Sequence, residues 1–136
     1  MSRTRSFDYD QSYTPAAPFL PVTVDGYDSE KQAVTVSAFV DTGADGTMLP
    51  LPILLAVGAE YEDTVRLRGT TGNSLRVDRY TVRIQIGEVT IHAVSVVAMV
   101  AGSEPLIGRD VLNHLILTLN GYASVTEVHT FDETNS

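Results

Sequence analysis

One stretch of the sequence carries chemistry in its residue types and their order: Phe39-Val40-Asp41-Thr42-Gly43-Ala44-Asp45-Gly46. An apolar run enters an acid, then a small hydroxyl residue, then glycine, which delivers a carboxylate from a rigid strand end into a tight loop. Gly43 allows close backbone approach without steric cost, and the Thr42 hydroxyl can fix the loop by hydrogen bonding. Asp, Thr and Gly are also common turn residues, so the tripeptide alone reads as well as a polar β-turn. A second element lifts it above that reading: Pro105-Leu106-Ile107-Gly108-Arg109-Asp110-Val111-Leu112. There an apolar pair precedes a glycine and a short helix follows, so Gly108 would let a second strand pack under the Asp41 loop.

The elements that must position these residues are mostly strands. Val34, Val36, Ala38 and Val40 share one face of a period-two run, and Thr35, Ser37 and Phe39 share the other. Tyr80, Val82, Ile84 and Ile86 alternate with Thr81, Arg83 and Gln85, while residues 89–100 are apolar more continuously, as where both faces are covered. Turns are predicted at Asp25-Gly26, Gly69 to Ser74, Ile86-Gly87-Glu88 and Ala101-Gly102-Ser103. Short helices are predicted at 52–57, stopped by Gly58, and at 109–115. Residues 1–18 show no periodicity and are expected to be a flexible N-terminal arm. Residues 19–122 form the predicted domain, and 123–136 an extension that is partly strand and then a flexible tail.

With 136 residues, 43% hydrophobic and 19% charged, the chain has the makings of one ordinary globular domain. Nine basic against seventeen acidic residues leave a net charge of −8, which argues against a nucleic-acid or anionic-membrane partner. The absence of cysteine excludes disulfides, zinc–thiolate and iron–sulfur sites and a cysteine nucleophile. No apolar run approaches a membrane span and no secretory leader is visible, so a cytoplasmic location is expected.

AFVDTGADGTML, followed downstream by LIGRDVLNHLILTLNG, resembles the retroviral-type aspartic proteases, or retropepsins. The intervening LRGTTGNSLRVDRYTVRIQIG resembles their flap hairpin, and the likeness runs from about Pro21 to Gly121 in order and spacing. The resemblance implies an all-β fold: a closed retropepsin-like β-barrel with a flap hairpin and one or two short helices. It also implies an aspartic endopeptidase that is a homodimer, with Asp41 as the catalytic residue of each subunit. The chemistry requires this independently. Two carboxylates must share one proton, and the chain holds one Asp-Thr-Gly and no second copy.

By the same resemblance, Thr42 crosses the dimer axis, and Gly43, Ala44 and Asp45 bind the substrate backbone. Met48 and Leu106, with Phe39, fall near substrate pockets, although all three serve equally well as core. Gly69, Thr70, Thr71, Gly72 and Asn73 form the flap tip, and Ile107, Gly108 and Arg109 support the loop. A phosphate-loop reading of the tip fails because neither a lysine nor a helix follows it. Arg109 and Asp45 match positions that pair as ions, and both termini are implied to build the dimer's sheet.

Ala44 lacks the hydroxyl that would favour the charged form of the carboxylates, so a mildly acidic optimum is expected. Arg66, Arg68, Arg76, Arg79 and Arg83 surround the flap and read as a solvated face, or as a surface for acidic substrates. His92, His114 and His129 lack metal-ligand spacing, and neither metal nor cofactor is expected. The junction Ala17-Pro18-Phe19-Leu20-Pro21-Val22 resembles sites of self-processing, which places a candidate cleavage near Leu20-Pro21. The competing readings are a retropepsin-like dimerisation or peptide-binding module with negligible turnover, and a nucleic-acid-associated protein, which the charge disfavours.

Overall fold

The alternating runs form strands whose apolar sides meet in one core. In the computed structural model, which describes residues 2–69 and 72–131, Val22, Val24, Ala38, Val40, Val82, Ile84 and Ile86 are buried together. Each Val or Ile side chain so withdrawn from water contributes about 1.5–3 kcal/mol. The strands concerned are β2 (Phe19–Asp25), β3 (Val34–Val40) and β6 (Ser74–Ile86). They belong to a sheet that also contains β4 (Met48–Pro50), β5 (Glu60–Arg68), β7 (Val89–Met99) and β8 (Leu106–Ile107).

The strand order is β2-β3-β8-β4-β7-β6-β5, with a further pairing of β2 to β6 that turns the sheet into a barrel. The closing seam is short, matching Thr23, Val24 and Asp25 with Gln85, Ile84 and Arg83. Strand β6 reaches that seam because it is 13 residues long. Its first half pairs with β5 from Ser74 to Thr81, and its second half pairs with β2. The chain is therefore mostly β, as its sequence suggests.

The helices are α1 (Leu51–Ala56), which buries Leu54, and α2 (Arg109–Leu112). The second ends earlier than its apolar spacing suggests, because β9 (Ile116–Asn120) starts soon afterwards. No described helix is long and apolar enough to cross a membrane.

The N-terminus differs from its expectation. Residues expected as a flexible arm form β1 (Ser2–Asp8), which pairs antiparallel with β10 (Val125–Phe131) from Ser2↔Phe131 to Asp8↔Val125. Strand β10 also pairs with β9, giving a second sheet in the order β1-β10-β9. The reason for the discrepancy is physical. Every β1 side chain except Phe7 is exposed, so the strand is held by backbone pairing and shows no apolar alternation. The extension after residue 122 is likewise part of the body, since Val128 joins the core cluster. The tail expected beyond Phe131, residues 132–136, lies outside the described residues.

The candidate self-processing junction near Leu20-Pro21 lies within β2. Leu20 is fully buried inside β2 and faces Ala38 of β3.

The arginines separate into two groups. Arg79 makes a bidentate contact with Asp63 at 2.7 and 2.6 Å and lies 3.4 Å from Glu62. Arg83 pairs with Asp25 across the barrel seam and also covers the Tyr27 ring at 5.2 Å. Arg66, Arg68 and Arg76 stay exposed on the hairpin, with Arg66 directly opposite Arg76.

The hydrogen bond from Arg83, reinforced by the Tyr27 N–H, holds the Asp25 carboxyl below the usual carboxylate range. A carboxyl depressed on folding stabilises the native state above its unfolded value, and that contribution fades as pH falls through the folded value. Arg83→Met should therefore lower the melting temperature at neutral pH. The gap to wild type should narrow once the pH drops below about 4. Thermal melts of both proteins across pH 2 to 7 check this, and a gap of constant size would refute it.

Candidate active site

Asp41 is the first residue beyond β3, where the strand ends in a turn. Its own N–H bonds to the Ile107 carbonyl at 3.0 Å, so the register of β3 against β8 fixes the acid's position. The Gly43 N–H donates to Asp41 Oδ1 at 2.9 Å, and the Ala44 N–H donates to the Asp41 carbonyl at 3.2 Å. The loop thus folds back over its own carboxylate, leaving Asp41 half-buried and Thr42 and Gly43 exposed.

Beneath the loop runs the segment Ile107-Gly108-Arg109, brought there as the sequence suggested. A Cβ on Gly108 would stand 2.7 Å from the Gly46 carbonyl oxygen and 2.8 Å from that of Ala44, both of them backbone atoms. No other residue type fits without moving the loop. The Arg109 N–H donates to the Ala44 carbonyl at 2.8 Å, and the Arg109 guanidinium donates to the Thr42 carbonyl at 2.8 Å.

The last contact replaces the expected ion pair. Arg109 holds the loop through a carbonyl, and no Arg109–Asp45 salt bridge occurs among the described residues. The carboxylate that ties loop to helix is the neighbouring one, Asp110. It accepts the Thr47 N–H at 3.1 Å and the Thr47 hydroxyl at 2.8 Å, while that hydroxyl accepts the Gly108 N–H at 3.2 Å. Thr47 is fully buried, so its hydroxyl needs these partners. Neither residue stood out in the sequence. A hydroxyl just after the loop and an acid just after Arg109 were the only traces.

Phe39, Leu106 and Met48 come together in one row. Phe39 faces Leu106 across the β3–β8 pair, and Leu106 faces Met48 across the β8–β4 pair. All three are half-buried, whereas the next pair, Val40 and Ile107, is buried in the core. Strand alternation puts Asp41 on the same side as Phe39.

The row continues into residues the sequence did not single out. Phe39 meets Phe19 edge-on at 5.6 Å, and Phe19 meets Tyr13 at 5.5 Å. The Tyr13 hydroxyl bonds to the Glu104 carboxylate, which pushes the phenol up to about 12.

The flap arms β5 and β6 pair out to Arg68 and Ser74. The Gly69 N–H then donates to the Asn73 carbonyl at 2.9 Å, and the Gly72 N–H to the Gly69 carbonyl at 3.1 Å. Gly72 has φ +83°, a left-handed conformation that glycine adopts freely. Thr70 and Thr71, expected at the tip, lie outside the described residues. Val65 and Leu67 of the flap arm face Asp45 and Gly46 across a cavity of about 550 Å³.

His92 and His114 both line the cavity beside Asp45 and Gly46, and His129 stands outside it. His92 and His114 are exposed, and His129 places its two ring nitrogens 2.9 Å from the Thr4 and Thr118 hydroxyls. Among the described residues no group of three or more His, Asp or Glu side chains is arranged to hold a metal ion.

No curated protein matches the chain in sequence. Solved structures that share the fold include the following two. One is a retropepsin-like aspartic protease from Rickettsia conorii, with a TM-score of 0.62 at 12% identity over 95% of this chain and 94% of that one. The other is the EIAV protease complexed with the inhibitor HBY-793, with a TM-score of 0.55 at 18% identity over 71% of this chain and 86% of that one. Residues 28–114, which hold the Asp41 loop, the flap and Gly108, match the family described as "gag-polyprotein putative aspartyl protease". The chain belongs to this family of retropepsin-like aspartic proteases.

Proposed function

We propose that the chain is an aspartic endopeptidase that acts as a homodimer, with Asp41 of each subunit supplying one of two facing carboxylates. The observation that carries the reading is the Asp41 loop itself. A single half-exposed acid is fixed at a strand end by backbone hydrogen bonds over Gly108. Fixed backbone groups set the acid's position before substrate arrives, which is the preorganisation that acid–base catalysis requires.

One Asp41 is ionised and takes a proton from a water held between the pair. The other is protonated and donates to the carbonyl oxygen as the water oxygen bonds to the carbonyl carbon. When the C–N bond breaks, the proton taken from water passes to the departing amine and the carbonyl oxygen returns its proton to the pair. Thr42, exposed at the tip of the loop, is the residue in reach of the partner loop. Gly43, Ala44 and Asp45 offer main-chain groups to an extended peptide, which adds to the site as a strand. The tip around Gly69, Gly72 and Asn73 closes over that peptide.

Phe39, Leu106 and Met48 supply an apolar wall, so the reading favours apolar residues beside the scissile bond. Tyr13 and Glu104 extend the wall with a polar end. Exposed Arg66, Arg68 and Arg76 give the flap a cationic outer face on an acidic chain, suited to an acidic stretch further along the substrate. The proposed site of action is the cytoplasm, in keeping with a chain that has no cysteine.

Two measurements test the proposal. An apolar peptide library incubated with wild type should be cleaved, and Asp41→Asn should lower the rate by about 1,000-fold or more. The variant should sediment as wild type does. Equal cleavage by both would discard the enzyme reading in favour of a peptide-binding module. The second measurement uses Ala44→Ser. A hydroxyl donor beside the pair favours its charged form, so the acidic limb of the pH–rate profile should move to lower pH. Wild type should peak in the mildly acidic range, and a strongly acidic wild-type optimum would contradict the argument.

A further inference from the structure

Strand β6 is paired on one side only over its outer part. Strand β5 lies against it from Ser74 to Thr81, but β7 joins its other side only from Arg79 onward. The last residues of β7, Ala98 and Met99, pair with Leu49 and Pro50 of β4 alone. The two strands therefore diverge, and the space between them is a groove of about 570 Å³. Its lining includes Leu75, Arg76, Val77, Met99, Val100 and, from α1, Leu51, with no residue of the Asp41 loop among them. Leu75 is 66% exposed and Val100 75%. An unpaired strand edge offers its N–H and C=O groups to an incoming chain.

The two faces of this hairpin differ in chemistry. Residues directly opposite in an antiparallel pair point to the same side. Arg66 and Arg76 are opposite, and strand alternation adds Arg68 to their face. Leu75 and Val77 lie on the other face with their partners Leu67 and Val65. Like charges set opposite each other destabilise a sheet, and no salt bridge among the described residues relieves these three arginines. Arg79 and Arg83, by contrast, each have a carboxylate partner. Asp78, further in on the arginine face, is engaged by the Thr64 hydroxyl at 2.7 Å. On a chain of net charge −8, a local excess of cations is where an anionic partner meets least repulsion.

We infer that the groove between β6 and β7 docks an extended segment of the protein substrate in which acidic and apolar residues alternate. The inference rests on the protease reading above and adds a contact outside the Asp41 loop. The segment adds to β6 as a strand, so its successive side chains fall on opposite faces. Carboxylates at every second position lie beside Arg76, with Arg66 and Arg68 next across the hairpin. The apolar residues between them lie beside Leu75 and Val77, and Met99 and Val100 form the other wall. A segment with its acids in one block satisfies one face and mismatches the other. Nucleic acid supplies anions but no apolar side chains for the second face.

Docking is read on the Asp41→Asn chain, so that it does not depend on cleavage. The probe is a short fluorescent peptide alternating glutamate and valine, followed by anisotropy. It should bind, and a peptide of the same composition with its glutamates in one block should bind about 10-fold more weakly. Arg66 and Arg76 are exposed, so the added pair Arg66→Glu and Arg76→Glu should keep the circular dichroism while weakening the probe about 10-fold. Excess apolar peptide without acids should not displace the probe. In wild type, joining the alternating segment to a cleavable apolar peptide should lower KM about 10-fold at unchanged kcat. Equal binding of the two peptides, indifference to charge reversal, displacement by the apolar peptide or an unchanged KM would each overturn the groove. A single-stranded oligonucleotide that competes as well as the probe would also overturn it. No docking with wild-type cleavage intact removes the groove alone. Docking by a chain whose wild type cuts nothing removes the protease and leaves the groove as a peptide site.

Discussion

The site depends on one close approach, that of the Gly108 backbone to the carbonyls of Ala44 and Gly46. Absence of a side chain at this point lets β8 slide between β3 and β4, parallel to one and antiparallel to the other. From that position β8 bonds the Asp41 N–H through Ile107, and the Arg109 N–H bonds back to Ala44. The acid is therefore located by main-chain geometry, and side chains at Thr47, Arg109 and Asp110 brace the result. A site held by backbone is tied to the strand register, and a strand in a packed core cannot slip by one residue without exposing its apolar face.

Register also explains which parts of the fold could be read in the sequence. Strands β3, β6 and β7 each bury apolar residues, so their alternation was visible in Val34 to Val40 and Tyr80 to Ile86. The loop chemistry was visible because Asp41-Thr42-Gly43 and Gly108 are local and specific. Strand β1 was invisible, because pairing by backbone leaves no mark on polar side chains such as Arg3, Thr4 and Arg5. The brace beneath the loop was misassigned for a different reason. Arg109 and Asp110 are adjacent in sequence, and only the start of α2 decides that Asp110 turns to Thr47 while Arg109 reaches Thr42. Spacing identified the right segment, but it could not say which side chain faced inward.

The long β6 strand joins two duties that the sequence presents as separate. Its outer half is one arm of the flap, and its inner half closes the barrel against β2. The flap is thus rooted in the core through Val82, Ile84 and Ile86, all fully buried. Toward the tip the side chains become exposed and the turn relies on Gly69 and Gly72. The strand that lines the cavity is thus anchored in the core independently of the turn that ends the hairpin.

The same reasoning bears on the N-terminal residues. Cutting the chain at Leu20-Pro21 would release β1 along with the segment that carries Tyr13. Strand β10 would then lose a neighbour along its whole length, and Val125 to Phe131 would become a second open edge. That new edge carries a single charged residue, Glu127, in place of the Arg3, Arg5 and Asp8 of β1. Burial of Leu20 and the pairing of β1 therefore point the same way. The N-terminal stretch is a structural strand that covers one side of β10 in the terminal sheet.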